Sequence, residues 1–130
     1  MNPEFLNTYF KIPNHTAADL PSEFVIVTAF NPEGRVCADG LNQSYDAKLA
    51  ATIETNSLSS WRVVGGSRDF AHAEQGYAIE TDLETGIKLG VQFRQVAIFR
   101  VKQGKLHLVV CATRQQTPMG AWNLRLVVVS

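Results

Sequence analysis

The segment Arg68-Asp-Phe-Ala-His-Ala-Glu74 holds the densest set of ionisable side chains in this 130-residue sequence. In extended backbone His72 and Glu74 fall on one face, so both could reach a single proton or metal ion. With Arg68 to hold an anion, the trio describes a small hydrolase acting on a phosphate ester. A metal centre normally takes three or more protein ligands with supporting outer partners. Further ligands would have to come from His15 or His107, and neither stands at a ligand spacing. A polar loop with a surface histidine accounts for the segment better, so no catalytic residue, metal or cofactor is expected. Just upstream, Gly65-Gly66-Ser67-Arg68 follows a strand pattern and could cradle an anion in a backbone nest. No helix pattern begins there and the P-loop lysine is missing, which favours a turn.

The second constellation is uncharged. Thr28, Asn31, Asn42 and Gln95 would converge at one end of a sheet, where small-ligand sites favour the carboxyl ends of central strands. These four are the candidate ligand-binding residues. Each also has a local structural use, since Asn31 caps a turn, Asn42 caps a helix, and Gln95 ties two loops together. The structural role is the favoured one. Glu74 is expected at the opposite end of the sheet, apart from that cluster. His107 alternates with Leu106 and Leu108 and points away from the core, while Trp61 and Trp122 are placed to pack.

Those side chains need a frame. Phe24-Val-Ile-Val-Thr-Ala-Phe30 is an almost continuous apolar, β-branched run, which predicts a central strand buried on both faces. Asn31-Pro32 ends it. Leu41, Tyr45, Leu49 and Ile53 step by four and predict a helix with Gln43, Asp46 and Glu54 turned outward, capped by Asn42 or Ser44. Residues 61–64 and 75–79 read as the second and third strands. Thr81 with Glu84 fits a capping box, opening a helix in which Leu83, Ile87 and Val91 recur. Gly86 and Gly90, one turn apart, set that helix close against the sheet. It runs into a strand at Val96-Ala-Ile-Phe99. Lys102-Gln-Gly-Lys105 is a hairpin turn, followed by strands at 106–112 and 122–129. Phe5, Leu6, Tyr9 and Phe10 suit one face of a short N-terminal helix.

Strand, helix, strand, strand, helix, strand is the split β-α-β order of ferredoxin-like folds. The expectation is an α+β single domain, an antiparallel sheet with two helices on one face. Residues 1–23 form a packing segment, 24–101 the βαββαβ core, and 102–130 a C-terminal β-hairpin extension. Right-handed crossovers are expected to set the first and third strands side by side and parallel.

Composition bounds the function classes. Apolar residues make up 45% and charged residues 18%, an ordinary globular balance. Twelve basic and twelve acidic residues give a formal charge of zero. That argues against non-specific nucleic-acid binding, which draws on phosphate neutralisation, though a small local basic patch is compatible with it. Nucleic acid is therefore the weaker partner class, even though ferredoxin-like sheets can stack bases on exposed aromatics. Cys37 and Cys111 are too few and too distant for a disulfide framework or a zinc site, and read as two small buried thiols. No apolar run approaches the ~20 residues that span a bilayer, and Met-Asn-Pro-Glu-Phe lacks the features of a signal peptide. A cytoplasmic protein without a membrane partner is expected.

Several quoted residues also carry a resemblance. Thr28-Ala-Phe-Asn-Pro32, Asn42, Glu74, Leu89-Gly90 and Phe93-Arg-Gln-Val-Ala-Ile-Phe99 together resemble a family of short bacterial proteins catalogued as a domain of unknown function. Its pattern has T-A-x-N-P after the first strand, an asparagine opening the first helix, a glutamate before the third strand, and F-x-Q-x-A closing the second helix. The resemblance spans residues 24–100 and implies a compact bacterial α+β domain. It implies no activity.

With no assembled nucleophile, base and oxyanion donors in view, the favoured function is a non-enzymatic module binding a protein or a small molecule. The competing reading is the hydrolase built on Arg68, His72 and Glu74. One partner expectation comes from the C-terminus. Trp122, Leu124, Leu126 and Val128 share a face, and Val127 and Val129 leave the other face apolar as well. Such an edge strand invites pairing. Either the segment from Phe5 to Phe10 covers it, or a second copy does, and a homodimer through residues 122–129 is expected.

Overall fold

The computed structural model describes residues 3–13 and 19–127. The apolar run read as a central strand is strand β2 (Glu23–Thr28), with Phe24 to Val27 all buried. Before it lies β1 (Tyr9–Lys11). After it come helix α1 (Asp39–Thr55), strands β3 (Ser60–Gly66) and β4 (Ala73–Ile79), helix α2 (Leu83–Gln92), and strands β5 (Ala97–Lys102), β6 (Lys105–Val110) and β7 (Gln116–Ala121). The described strands form one antiparallel sheet in the order β1-β3-β4-β2-β5-β6-β7. The fold is α+β. Among the described residues, no helix is long and apolar enough to cross a membrane.

Each face of the sheet buries its own core, because residues alternate sides along a strand. On one face Val25, Val27, Ile79, Ile98 and Val109 meet Leu49 and Ile53 of α1 and Ile87 and Leu89 of α2. On the other, Phe24, Ile26, Val63, Val101, Leu106 and Leu108 pack with Phe10, Met119 and Trp122. Among the described residues neither α1 nor α2 packs on that second face; the sheet curls over it. The Phe10 N–H donates to the Arg125 carbonyl at 2.8 Å, and the Val127 N–H donates to the Phe10 carbonyl at 2.7 Å. These bonds tie β1 to the segment that follows β7, the strand at the opposite edge. Trp122 fills the interior between Phe10 and Phe24, with ring centroids 5.2 and 5.4 Å away.

Several expectations are corrected. The first and third strands of the core, β2 and β4, are neighbours as expected, but they run antiparallel, with Thr28 opposite Gly76 and Val25 opposite Ile79. A strand–helix–strand passage returns the chain in its original direction, and the β3–β4 hairpin then reverses it. The strand slotted beside β2 must therefore oppose it. The N-terminal helix is instead a short 3-10 turn, Pro3–Asn7, followed by β1. The strand expected at 122–129 lies earlier, at Gln116–Ala121, and Trp122–Leu124 is a 3-10 turn. Pro118 is tolerated there because β7 is an edge strand. Of the two coverings weighed for the C-terminal segment, Phe10 supplies one through its backbone; Val128 and Val129 lie outside the described residues, as does His15.

Helix α1 starts at Asp39, before both expected caps, and its buried positions are Asn42, Asp46, Leu49 and Ile53. Leu41 is 46% exposed and Asp46 is buried, a reversal of the expected faces. The reason is pairing: Asn42 bonds to Asn31 and Asp46 to Arg62, so two polar side chains take positions that apolar ones would otherwise fill. At α2 the cap is Asp82, which accepts from the Thr85 N–H, rather than Thr81 with Glu84. The close helix–sheet contact does hold. A Cβ on Gly86 would lie 2.8 Å from Val25 Cγ1, and one on Gly90 would lie 2.7 Å from Cys111 Sγ. Cys111 is buried, whereas Cys37 sits half-buried on the loop before α1, and both thiols are free.

Candidate functional site

Strand β2 ends at Thr28, and the chain turns sharply at Asn31, whose φ of 48° and ψ of 59° are left-handed. Asparagine visits that region more readily than most side chains. Here its own amide fixes the conformation. The Asn31 N–H donates to Asn42 Oδ1 at 2.8 Å, and Asn42 Nδ2 donates back to Asn31 Oδ1 at 2.9 Å. Asn31 Oδ1 also accepts from the Cys37 N–H at 3.0 Å. Asn42 lies within α1, where its buried amide holds the loop of residues 30–38 against the helix.

On the other side of the same strand end, the Thr28 hydroxyl lies 3.0 Å from Gln95 Oε1 and 3.1 Å from Glu74 Oε1. Gln95 Nε2 donates to the carbonyls of Phe30 and Phe93, at 3.1 and 3.2 Å. Those two bonds orient the amide so that its oxygen faces Thr28. Thr28 thus meets Gln95, Asn31 meets Asn42, and the Gln95 bond to the Phe30 carbonyl links the two pairs into one polar network.

Glu74 belongs to it too, which corrects the expectation that it stands at the far end of the sheet. The two corrections share a cause. Because β4 runs antiparallel to β2, its beginning meets the end of β2. Burial pushes the Glu74 carboxyl above its ordinary value, opposed by the Thr28 hydroxyl and the nearby Asn31 side chain. A hydroxyl has one proton to donate. Gln95 Oε1 and Glu74 Oε1 both lie within reach of it, so the two acceptors share one donor.

A clasp holds the loop from outside. The Glu33 N–H donates to the Arg94 carbonyl at 2.7 Å, and the two side chains form an ion pair at 2.8 Å. The Arg94 guanidinium draws the Glu33 carboxyl below its ordinary value. Beside this clasp, between α1 and the end of α2, runs an open groove of about 480 Å³ lined by Pro32, Tyr45, Lys48, Thr52, Phe93 and Arg94. Its lining includes two aromatic rings and two cations.

The alternative trio is not drawn together by any contact among the described residues. Arg68 lies over the Tyr9 ring with its guanidinium 5.6 Å from the centroid, His72 is exposed, and Glu74 is engaged as above. No group of three or more His, Cys, Asp or Glu side chains among the described residues could hold a metal ion. At the glycine-containing turn, the Ser67 N–H donates to the His72 carbonyl at 2.9 Å, closing the β3–β4 hairpin. His107 is half-buried on β6, opposite Arg100 on β5.

Sequence reasoning missed the pair formed by Arg62 of β3 and Asp46 of α1, joined by two bonds of 2.8 Å. The guanidinium also lies 4.5 Å from the centre of the Tyr77 ring. The signal was available: a charged Arg62 in the otherwise apolar run Trp61-Arg-Val-Val64 needs an acid on the element covering it.

Residues 27–98 match a family model described as "Protein of unknown function (DUF3293)". No curated protein and no solved structure matches the chain.

Proposed function

The chain belongs to the DUF3293 family of proteins of unknown function, and from that premise we propose that it is a binding module rather than an enzyme. The observation that carries this reading is how the polar network is used. Asn31, Asn42 and Gln95 direct their amide groups onto neighbours in the same chain, and so hold the loop of residues 30–38 in place. The network then acts as scaffold, and the surface it fixes is the groove beside it. That groove suits a small amphipathic ligand: Tyr45 and Phe93 offer apolar contact, and Lys48 and Arg94 offer charge to an anionic group. Arg94 is partly neutralised by Glu33, which leaves Lys48 the stronger contact.

The test is an amide-shift titration with matched pairs of aromatic carboxylates and their neutral amides. Shifts confined to Tyr45, Lys48 and Phe93, stronger for the carboxylates and lost in Lys48→Glu, support the reading. Shifts elsewhere, or no preference for the charged member, defeat it.

Two further readings accompany this one. The core order β3-β4-β2-β5, with both helices packed on one face, supports a ferredoxin-like split β-α-β unit. Self-association through residues 122–129 draws support, among its described residues, from Leu124, 78% exposed, and Val127, 36% exposed. The intrachain bonds from Phe10 compete with it for the backbone of that segment.

A further inference from the structure

The outward face of β1 builds a surface on which cations and aromatic rings alternate. Phe10 points into the curled core, so its neighbours Tyr9 and Lys11 point out. The register sets Tyr9 opposite Gly66 and Lys11 opposite Val64. Gly66 has no side chain to cover the Tyr9 ring, which leaves it open to the turn that follows β3. Arg68 and Phe70 of that turn complete the surface. Arg68 lies 5.6 Å from the Tyr9 ring centre, and Lys11 Nζ lies 4.5 Å from the Phe70 ring centre. Arg125 approaches Tyr9 as well, at 5.3 Å.

The three cations differ in how they are held. Arg125 donates to the carbonyls of Leu6 and Thr8, at 2.8 and 3.1 Å, and belongs to the frame. Among the described residues no ion pair joins Lys11, Arg68 or Arg125 to a carboxylate. Asp69, the acid of the same turn, accepts from the Ser67 hydroxyl and the Ala71 N–H and stays ionised, one negative charge beside three positive ones. Formal neutrality of the whole chain therefore hides a local excess of positive charge.

We propose that Tyr9, Lys11, Arg68, Phe70 and Arg125 form a binding surface for single-stranded nucleic acid. Cations beside rings serve both halves of such a ligand. The phosphates draw on Lys11, Arg68 and Arg125, and the bases stack on the rings. An acidic peptide would use the cations and leave the rings of Tyr9 and Phe70 unused. Cation–π contacts at exposed sites are weak. Arg68 can therefore leave the Tyr9 ring for a phosphate while a base takes its place. This site is separate from the groove beside α1 and does not depend on it.

The experiment is fluorescence anisotropy with a labelled 15-nucleotide oligothymidylate and, separately, a labelled oligoglutamate peptide, at several salt concentrations. Oligothymidylate should bind with Kd on the order of 10 µM at 50 mM salt, and log K should fall against log salt with a slope of about −2, at ~0.7 per phosphate contacted. Lys11→Glu with Arg68→Glu should weaken binding at least tenfold. Arg68→Glu alone, in an exposed turn, should weaken it several-fold and keeps the test valid if the double variant folds poorly. Lys105→Glu, exposed in the β5–β6 hairpin, should stay within twofold of the parent. Absence of oligothymidylate binding at 50 mM salt overturns the proposal, as does parent-like binding by Arg68→Glu. Equal binding of oligoglutamate also overturns it, in favour of an acidic protein partner.

Discussion

Thr28 and Glu74 meet where the two central antiparallel strands exchange ends, hydroxyl to carboxyl at 3.1 Å, with Gln95 Oε1 3.0 Å from the same hydroxyl. The Thr28 hydroxyl has one proton for these two acceptor oxygens. Burial raises the carboxyl's affinity for protons and outweighs the Thr28 bond, which favours the ionised form. A carboxyl whose folded value lies above its unfolded one binds its proton more tightly in the native state. Its contribution is fully present below the ordinary value of 4.5 and is lost as pH rises through the raised folded value. In that window stability should fall with pH by at most about 1.4 kcal/mol per unit from this group. Glu74→Gln keeps a hydrogen-bonding partner for Thr28 and has nothing to titrate. Urea melts across pH should show the decline in the parent and its loss in the variant. An identical decline in both would refute the assignment.

Arg62 and Asp46 form the buried ion pair that joins β3 to α1. The Asp46 side chain is 6% exposed and the Arg62 side chain 33%. Removing one partner strands the other, which costs roughly 3–5 kcal/mol for a buried pair. Asp46→Ala should fall near the lower end, since the guanidinium reaches some solvent. Replacing both, as Asp46→Ala with Arg62→Met, should recover part of the loss, because no charge is then left unpaired. Chemical denaturation of the two single variants and the double variant gives the coupling directly. Additive losses would mean that the pair contributes nothing as a pair.

Much of the core was legible because its signals are local. The apolar run at Phe24 to Val27, the recurrence of Leu49 and Ile53, and the glycines at 86 and 90 each constrain one element. What escaped depends on two elements at once. The stripe Leu41, Tyr45, Leu49, Ile53 is regular, yet α1 buries Asn42 and Asp46 because Asn31 and Arg62 await them. Residue types bring Thr28, Asn31, Asn42 and Gln95 to one strand end, but one wrong strand direction sends Glu74 to the other. A slip in topology thus became a slip in the site. The curled face was invisible for a related reason. Phe10 and Arg125 meet through backbone bonds, and backbone bonding leaves no mark on residue type.

Gly86 and Gly90 should both resist alanine. An added Cβ at Gly86 would come within 2.8 Å of Val25, and one at Gly90 within 2.7 Å of Cys111 and 2.8 Å of Ile98. In an open helix the same change would stabilise by up to roughly 1 kcal/mol through propensity. Here the neighbours are packed side chains, and overpacking costs about 1–3 kcal/mol. Thermal melts of Gly86→Ala and Gly90→Ala should both shift downward. A higher melting temperature for either would show that α2 can lift from the sheet without penalty.

Asn31 separates scaffold from ligand site. It combines a left-handed backbone with an amide that accepts from Asn42 and Cys37, so two substitutions take the contributions apart. Asn31→Gly keeps the backbone conformation accessible and removes the side-chain bonds, stranding part of the buried Asn42 amide at a cost of about 1–3 kcal/mol. Asn31→Ala loses the same bonds and adds roughly 1 kcal/mol for holding a Cβ in the left-handed region. The expected order of stability is parent, then glycine, then alanine. Gln95→Ala should lose on the order of 1 kcal/mol or more, since Thr28 and the Phe30 carbonyl both lose a partner. Urea denaturation measures all three. If the variants instead melt with the parent while ligand shifts at Tyr45 and Phe93 disappear, the network is itself the binding site and the scaffold reading fails.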